Sequence, residues 1–316
     1  MSAVLQSEQP PYLVWHEGSE IAPGFWCDLP NERYHGGPGI SKSGLDDIAH
    51  APAYYKVRRE NPEPPTAAML LGTVLHALVL EPDTFDQRYV AEPVDAPRKP
   101  SDRERYAKKP SPETLARCDW WDAFEREHSG KTIVPNQDGP TIWDRDVWST
   151  VHYMRDAIMR NGDAAIFLEA GSGISELSCY WVDPVTRRLC RCRPDFWNQH
   201  HNLIIDLKSS RDATMTGFQR SVHDYRYDVQ GAFYMDGMRM AGETVHGMVF
   251  IACEKEPPYL NATYDVEKEW IREGRISYQR DLHVYSQCME SGEWPGLPDH
   301  TRILPQPGYA RYKPVS

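Results

Sequence analysis

Arg193-Pro194-Asp195, a short polar stretch, and then Leu203-Ile204-Ile205-Asp206-Leu207-Lys208 make up the segment on which the reading of this chain turns. The apolar run before Asp206 predicts a buried strand. Residues two apart on a strand share a face, so Asp206 and Lys208 should stand side by side. Leu189-Cys190-Arg191-Cys192-Arg193 reads as the preceding strand, with Asp195 at its end. The stretch 197–202 is then expected to turn the chain back as a hairpin and bring Asp195 close to Asp206. Two carboxylates and an ammonium around one point can hold a divalent cation beside a phosphate, which is the equipment of metal-assisted phosphodiester hydrolysis.

The rest of the chain sets the frame. It has 316 residues, 40% hydrophobic and 26% charged, the balance of a globular protein with one elaborated domain or two small ones. No apolar run is long enough to span a bilayer, and residues 1–11 lack the basic start and apolar core of a signal peptide. The seven cysteines include no CxxC pair, which speaks against a structural zinc or an iron–sulfur cluster and for reduced thiols in the cytosol. The net charge of −11 argues against non-specific binding to nucleic acid, but an enzyme needs a local basic channel rather than a basic average.

Residues 1–38, rich in Pro and Gly, are expected to form an irregular arm with an extended piece at 12–15. A single domain then runs over 39–316. Its helical part is 39–170, its catalytic sheet and helices 171–295, and its tail 296–316. A helical pattern follows Ser41 and Ser43, further helices are predicted near 52–59, 66–80, 112–128, 139–160, 215–223, 228–241 and 267–291 with a short helical turn at 162–170, strands at 245–252 and 262–266, and a β-meander over 174–209. The polar stretch 90–111 reads as a mobile loop. Together these elements describe an α/β or α+β unit.

Beside Asp195, Asp206 and Lys208, three further sites are candidates. His76 lies in the most hydrophobic helix, where an imidazole is either a hydrogen-bonded core group or a metal ligand. Gly72, one turn earlier, suggests a close backbone approach. Gln230 and Tyr234 are spaced i and i+4, so both face one way and can bond a phosphate or a water. Glu176 precedes a strand and is either an exposed acid or a further carboxylate for the metal.

With those residues goes a set of longer stretches: Gly39-Ile40-Ser41-Lys42-Ser43, Leu71-Gly72-Thr73-Val74-Leu75-His76, Leu80-Glu81-Pro82, Cys192-Arg193-Pro194-Asp195, Asp206-Leu207-Lys208, and Asp224-Tyr225-Arg226-Tyr227 with Gln230 and Tyr234. In this order they resemble the RecE-type (exonuclease VIII) branch of the RecB-like nucleases, within the PD-(D/E)xK group. The resemblance implies a restriction-endonuclease-like core, a central mixed β-sheet flanked by helices. It implies that His76, Asp195, Asp206 and the backbone carbonyl of Leu207 hold Mg²⁺ or Mn²⁺. Lys208 would be the catalytic lysine, with Glu176, Gln230 and Tyr234 in supporting catalytic roles and Arg193, Tyr225 and Arg226 on DNA. It further implies an exodeoxyribonuclease, carried by a phage or prophage. Such an enzyme degrades linear double-stranded DNA from the 5′ end and leaves 3′ single-stranded tails. It would work in the bacterial cytoplasm, as a homo-oligomeric ring (a tetramer favoured), beside a RecT-like single-strand annealing protein. The rival readings are a RecB-like or CRISPR-associated end-processing nuclease and a catalytically silent DNA-binding module.

Overall fold

The structure is a computed structural model and describes residues 12–61, 66–136 and 146–305. The chain opens with strands β1 (Tyr12–Val14) and β2 (Gly24–Cys27), followed by helices α1 (Asn31–Gly36), α2 (Lys42–His50) and α3 (Pro52–Glu60). Helix α4 (Ala67–Leu80) begins where the Thr66 hydroxyl accepts from the Met69 N–H, and ends before the proline that starts α5 (Pro82–Arg88). Then come β3 (Tyr89–Ala91), α6 (Asp102–Arg105), α7 (Pro112–Glu127), β4 (Thr132–Val134), α8 (Val147–Arg160) and α9 (Gly162–Phe167). The sheet-rich part holds β5 (Gly173–Ser175), β6 (Ser178–Val182), β7 (Leu189–Cys192), β8 (Phe196–Asn198) and β9 (Leu203–Ser210). The chain continues through α10 (Met215–Asp224), α11 (Tyr227–Met240), β10 (Gly247–Glu254), β11 (Asn261–Asp265) and α12 (Lys268–Ser291).

The strands form a five-stranded mixed sheet in the order β11-β10-β9-β8-β5, a four-stranded sheet β1-β2-β6-β7, and a two-stranded sheet β3-β4. β9 and β10 run parallel over their full lengths, while β8 and β11 flank them antiparallel. Period-two alternation divides the apolar residues of β9 between two cores. Ile204 faces a core shared with Phe233 of α11 and Leu282 of α12, whereas Ile205 and Leu207 face one built with Leu75 of α4 and Val151 of α8. The expected mixed sheet flanked by helices is the architecture observed. Among the described residues no helix is long and apolar enough to cross a membrane.

Several local expectations are corrected. The partner of β9 is not the strand 189–192 but β8, because Trp197 and Asn198 are themselves paired and only residues 199–202 turn the chain. β7 belongs to the second sheet, against β6, so residues 174–209 divide between two sheets. The stretch 12–27 is no loose arm: β2 pairs antiparallel with β6. The loop 90–111 contains a helix with a full capping box at Ser101 and Glu104, and the Trp121 indole N–H donates to the Pro97 carbonyl at 2.8 Å. Gly72 faces open space rather than a neighbouring backbone. The start of the helix expected over 139–160 lies outside the described residues, as do residues 1–11.

Close approach is instead found between α11 and α12. A Cβ on Gly274 would sit 2.2 Å from the Asp228 carbonyl oxygen. Gly274→Ala should therefore destabilise the fold by roughly 2 kcal/mol, the overpacking cost minus the gain in helix propensity. A melting temperature lowered by roughly 3 °C would show it; an unchanged melt would mean that the two helices part without cost.

Candidate active site

The five-stranded and four-stranded sheets are joined by two nearby crossings of the chain, and each crossing carries a carboxylate. Glu176 lies between β5 and β6, and Asp195 between β7 and β8. The Glu176 N–H donates to the Asp195 carbonyl at 3.0 Å, which ties the crossings together. Glu176 has φ of 51°, a left-handed conformation that few non-glycine residues adopt and that turns the chain from one sheet into the other.

Asp195 precedes β8, whose first pair is Phe196 with Ile205. The strand thus begins too late to satisfy the N–H of Leu207, and the Asp195 carboxylate (Oδ2) accepts it instead at 2.7 Å. His76 on α4 reaches the same point. Its Nε2 lies 2.8 Å from the Leu207 carbonyl, and its Nδ1 lies 3.6 Å from Asp195 Oδ2. A carbonyl only accepts, so Nε2 carries the hydrogen and, in the neutral ring, Nδ1 presents its lone pair to the carboxylates.

Ligand atoms of His76, Glu176 and Asp195 all lie within 4.8 Å of one another. Asp206 and the Leu207 carbonyl, expected among the metal ligands, have other partners. The buried Asp206 carboxylate is paired with the Lys208 ammonium and accepts from the Gln230 side-chain amide, while the Leu207 carbonyl orients His76. Asp206 and Lys208 stand side by side as expected, on the α11 face of β9. Gln230 thus holds a carboxylate of the site through its side-chain N–H.

The electrostatics follow from this crowding. Burial, and then the nearby Asp195, push Glu176 up to about 7 and Asp206 up to about 6. Burial by itself pulls the Lys208 ammonium down, but Asp206 and Asp195 outweigh it and its pKa is raised, so Lys208 stays charged. Lys208 also sits over the Tyr227 ring, 4.8 Å from its centroid.

The cluster opens into a cavity of about 530 Å³ whose wall includes Glu81, Arg88, Arg193 and Tyr234. Arg193, expected on DNA, spends its donors inside the protein: on Ser178 Oγ at 2.8 Å, on the Leu29 carbonyl at 2.8 Å and on Asn31 Oδ1, with Tyr34 beneath its guanidinium. Arg226 is likewise drawn inward, to Asp46 at 2.9 Å and to Asp281, where it binds α11 to α2 and α12. Tyr225 is 62% exposed and stacks on Tyr227, so of the three it is the one open to a ligand. Glu81 and Arg88 were not singled out for the site. The available signal was position, since Glu81 follows His76 by five residues at the end of the same helix.

Comparison with known proteins agrees with this architecture. No curated protein sequence matches the chain. A crystal structure of a protein from Eubacterium rectale, described as a candidate exonuclease, matches with a TM-score of 0.55. The two are 16% identical, and the match covers 89% of this chain and 96% of that one, a likeness of fold. The sequence profile of the PDDEXK-like domain of unknown function (DUF3799) matches residues 41–306, so the chain belongs to that family, within the PD-(D/E)xK superfamily.

Proposed function

We propose that the protein is a divalent-metal-dependent exodeoxyribonuclease that digests one strand of linear duplex DNA from its 5′ end and leaves a 3′ single strand. The observation that carries this reading is the meeting of His76, Glu176 and Asp195 in one cavity wall, with the Asp206–Lys208 pair next to it on β9. Two carboxylates and one imidazole nitrogen, without a thiolate, suit a hard cation such as Mg²⁺ or Mn²⁺. When bound there, such a cation supplies positive charge to the phosphate oxygens and makes a water more acidic.

The chain's own residues divide the remaining work. Asp195 takes the Leu207 N–H and is thereby fixed, and His76 is fixed by the Leu207 carbonyl, so both ligands are preorganised by the backbone of one residue of β9. Lys208, kept as an ammonium, stabilises the negative charge that builds on the attacked phosphate and does not serve as a base. Gln230 holds Asp206 so that Lys208 remains at the site. Tyr234, in the same cavity wall, is placed to orient the substrate.

The resemblance of the sequence to RecE-type enzymes is what supports the finer points: 5′ polarity, a ring (tetramer favoured) around DNA, a RecT-like annealing partner and a bacterial cytoplasmic setting. The decisive experiment is time-resolved digestion of a linear duplex labelled separately at its 5′ and 3′ termini. With Mg²⁺ or Mn²⁺ the 5′ label should be released first. Release of the 3′ label first would overturn the polarity, and an intact duplex with either cation would overturn the nuclease reading.

A further inference from the structure

The cavity wall is dominated by negative charge, yet its proposed substrate is a polyanion. Asp28, Glu81, Glu176 and Asp195 all line it. A cation at the cluster can neutralise only part of this, so the wall needs a basic group with donors to spare. Arg193 has none to offer, because each of its nitrogens already bonds the protein. His35 is held neutral, since burial and then Arg193 and Arg191 push its pKa down.

Arg88, the last residue of α5, is different. Its side chain is 40% exposed, and among the described residues its one hydrogen bond runs from Nη2 to Glu81 at 2.7 Å. Its buried Nε finds no acceptor. A guanidinium offers five N–H donors in a planar fork that matches phosphate oxygens, so Arg88 is under-satisfied in a cavity built for a phosphate. Its guanidinium also lies over the Tyr89 ring, 5.7 Å from the centroid, a contact that leaves its in-plane donors open. Its hydrogen-bond partner, Glu81, is close enough to Glu176 to help raise that group's pKa, so Arg88 stands next to the metal-type cluster without belonging to it.

We infer that Arg88 is a substrate-binding residue that holds a phosphodiester oxygen of the DNA strand in the cavity, on the α5 side of the His76–Glu176–Asp195 cluster. The inference rests on the nuclease reading for its substrate class. It assigns Arg88 to ground-state binding, where charge and fork geometry hold the strand, and leaves the chemical step to the cluster and Lys208.

The test compares wild type, Arg88→Ala and Arg88→Lys as full-length proteins. A fluorescent linear duplex is bound in Ca²⁺ over a series of salt concentrations, and cleavage kinetics are followed in Mg²⁺. Arg88→Ala should raise Kd and KM about tenfold, leave kcat within about twofold, and reduce the slope of log affinity against log salt by about one. Arg88→Lys keeps the charge, so it should keep the slope while recovering only part of the affinity. Mn²⁺ binding, measured by calorimetry without DNA, should be unchanged. An unaltered KM and salt slope would overturn the inference. So would a fall in kcat or in Mn²⁺ affinity instead, which would place Arg88 behind the cluster as a structural support. Wild type that binds duplex without cleaving it would remove the nuclease reading while the Arg88 slope still decides this one. Wild type that binds no duplex would remove both.

Discussion

Asp195→Asn should lower DNA cleavage by roughly 10³-fold while leaving the fold intact or firmer. The asparagine carbonyl can still accept the Leu207 N–H, so the crossing between β7 and β8 keeps its hydrogen bond. What disappears is a full negative charge from a three-member donor set. Loss of several kcal/mol of cation-mediated charge stabilisation corresponds to about three decades in rate. Stability should move the other way. Asp195 is a principal cause, after burial, of the raised pKa values of both Glu176 and Asp206, so its neutralisation relieves repulsion in the metal-free protein. A gel assay at saturating Mg²⁺ and a thermal melt in EDTA check the two halves. Retention of more than a tenth of wild-type cleavage would remove Asp195 from the centre of the site.

Glu176→Gln should abolish metal-dependent stabilisation and change how stability depends on pH. The sign follows from the direction of the shift. Glu176 is raised from 4.5 to about 7 in the native protein, so the native state holds a proton that the unfolded state has released between those values. That contribution is fully present below about pH 4.5 and is lost as pH rises to 7 and beyond. Its size is about 3 kcal/mol from the shift, reduced to about 2 kcal/mol because 31% of the side chain is exposed to screening solvent. The metal-free wild type should accordingly melt roughly 3 °C lower at pH 8 than at pH 5, apart from other groups. Glutamine is neutral at both values and should flatten much of this slope. Mn²⁺ should raise the melting temperature of wild type at pH 8, where the carboxylate is ionised, and have little effect on the variant. Cleavage should fall by at least about 10²-fold. Equal protection of both proteins by Mn²⁺ would rule out Glu176 as a ligand.

Long patterns were legible in the sequence and short or distant ones were not. α4, β9, α11 and α12 were read close to their bounds because each is a long or nearly unbroken run, apolar throughout most of α4 and the start of β9, with breakers or polar residues at its ends. Asp206 drew attention because a carboxylate inside an apolar strand must have a partner, and it has two. β8 escaped because three residues cannot display a period, so Phe196-Trp197-Asn198 read as the approach to a turn. β1 matches the extended piece expected at 12–15, whereas β2 escaped because its pairing with β6 spans nearly half the chain. The same distance explains the arginines. An arginine in a polar stretch looks available for DNA, whereas the acids that capture Arg226 lie 180 and 55 residues away in sequence. Glu176 was noticed as an acid, but its left-handed turn and its place beside Asp195 depend on tertiary context.

Because Glu176 and Asp195 lie where the chain passes from one sheet to the other, the reactive groups are anchored at a seam. The outer rims of both sheets, β1 at one extreme and β11 at the other, are remote from it in strand order. Strands can be lengthened, lost or overlaid at those rims without shifting the seam. Descendants of this fold can therefore acquire new subunit contacts or substrate guides at the periphery while the hydrolytic centre stays as it was.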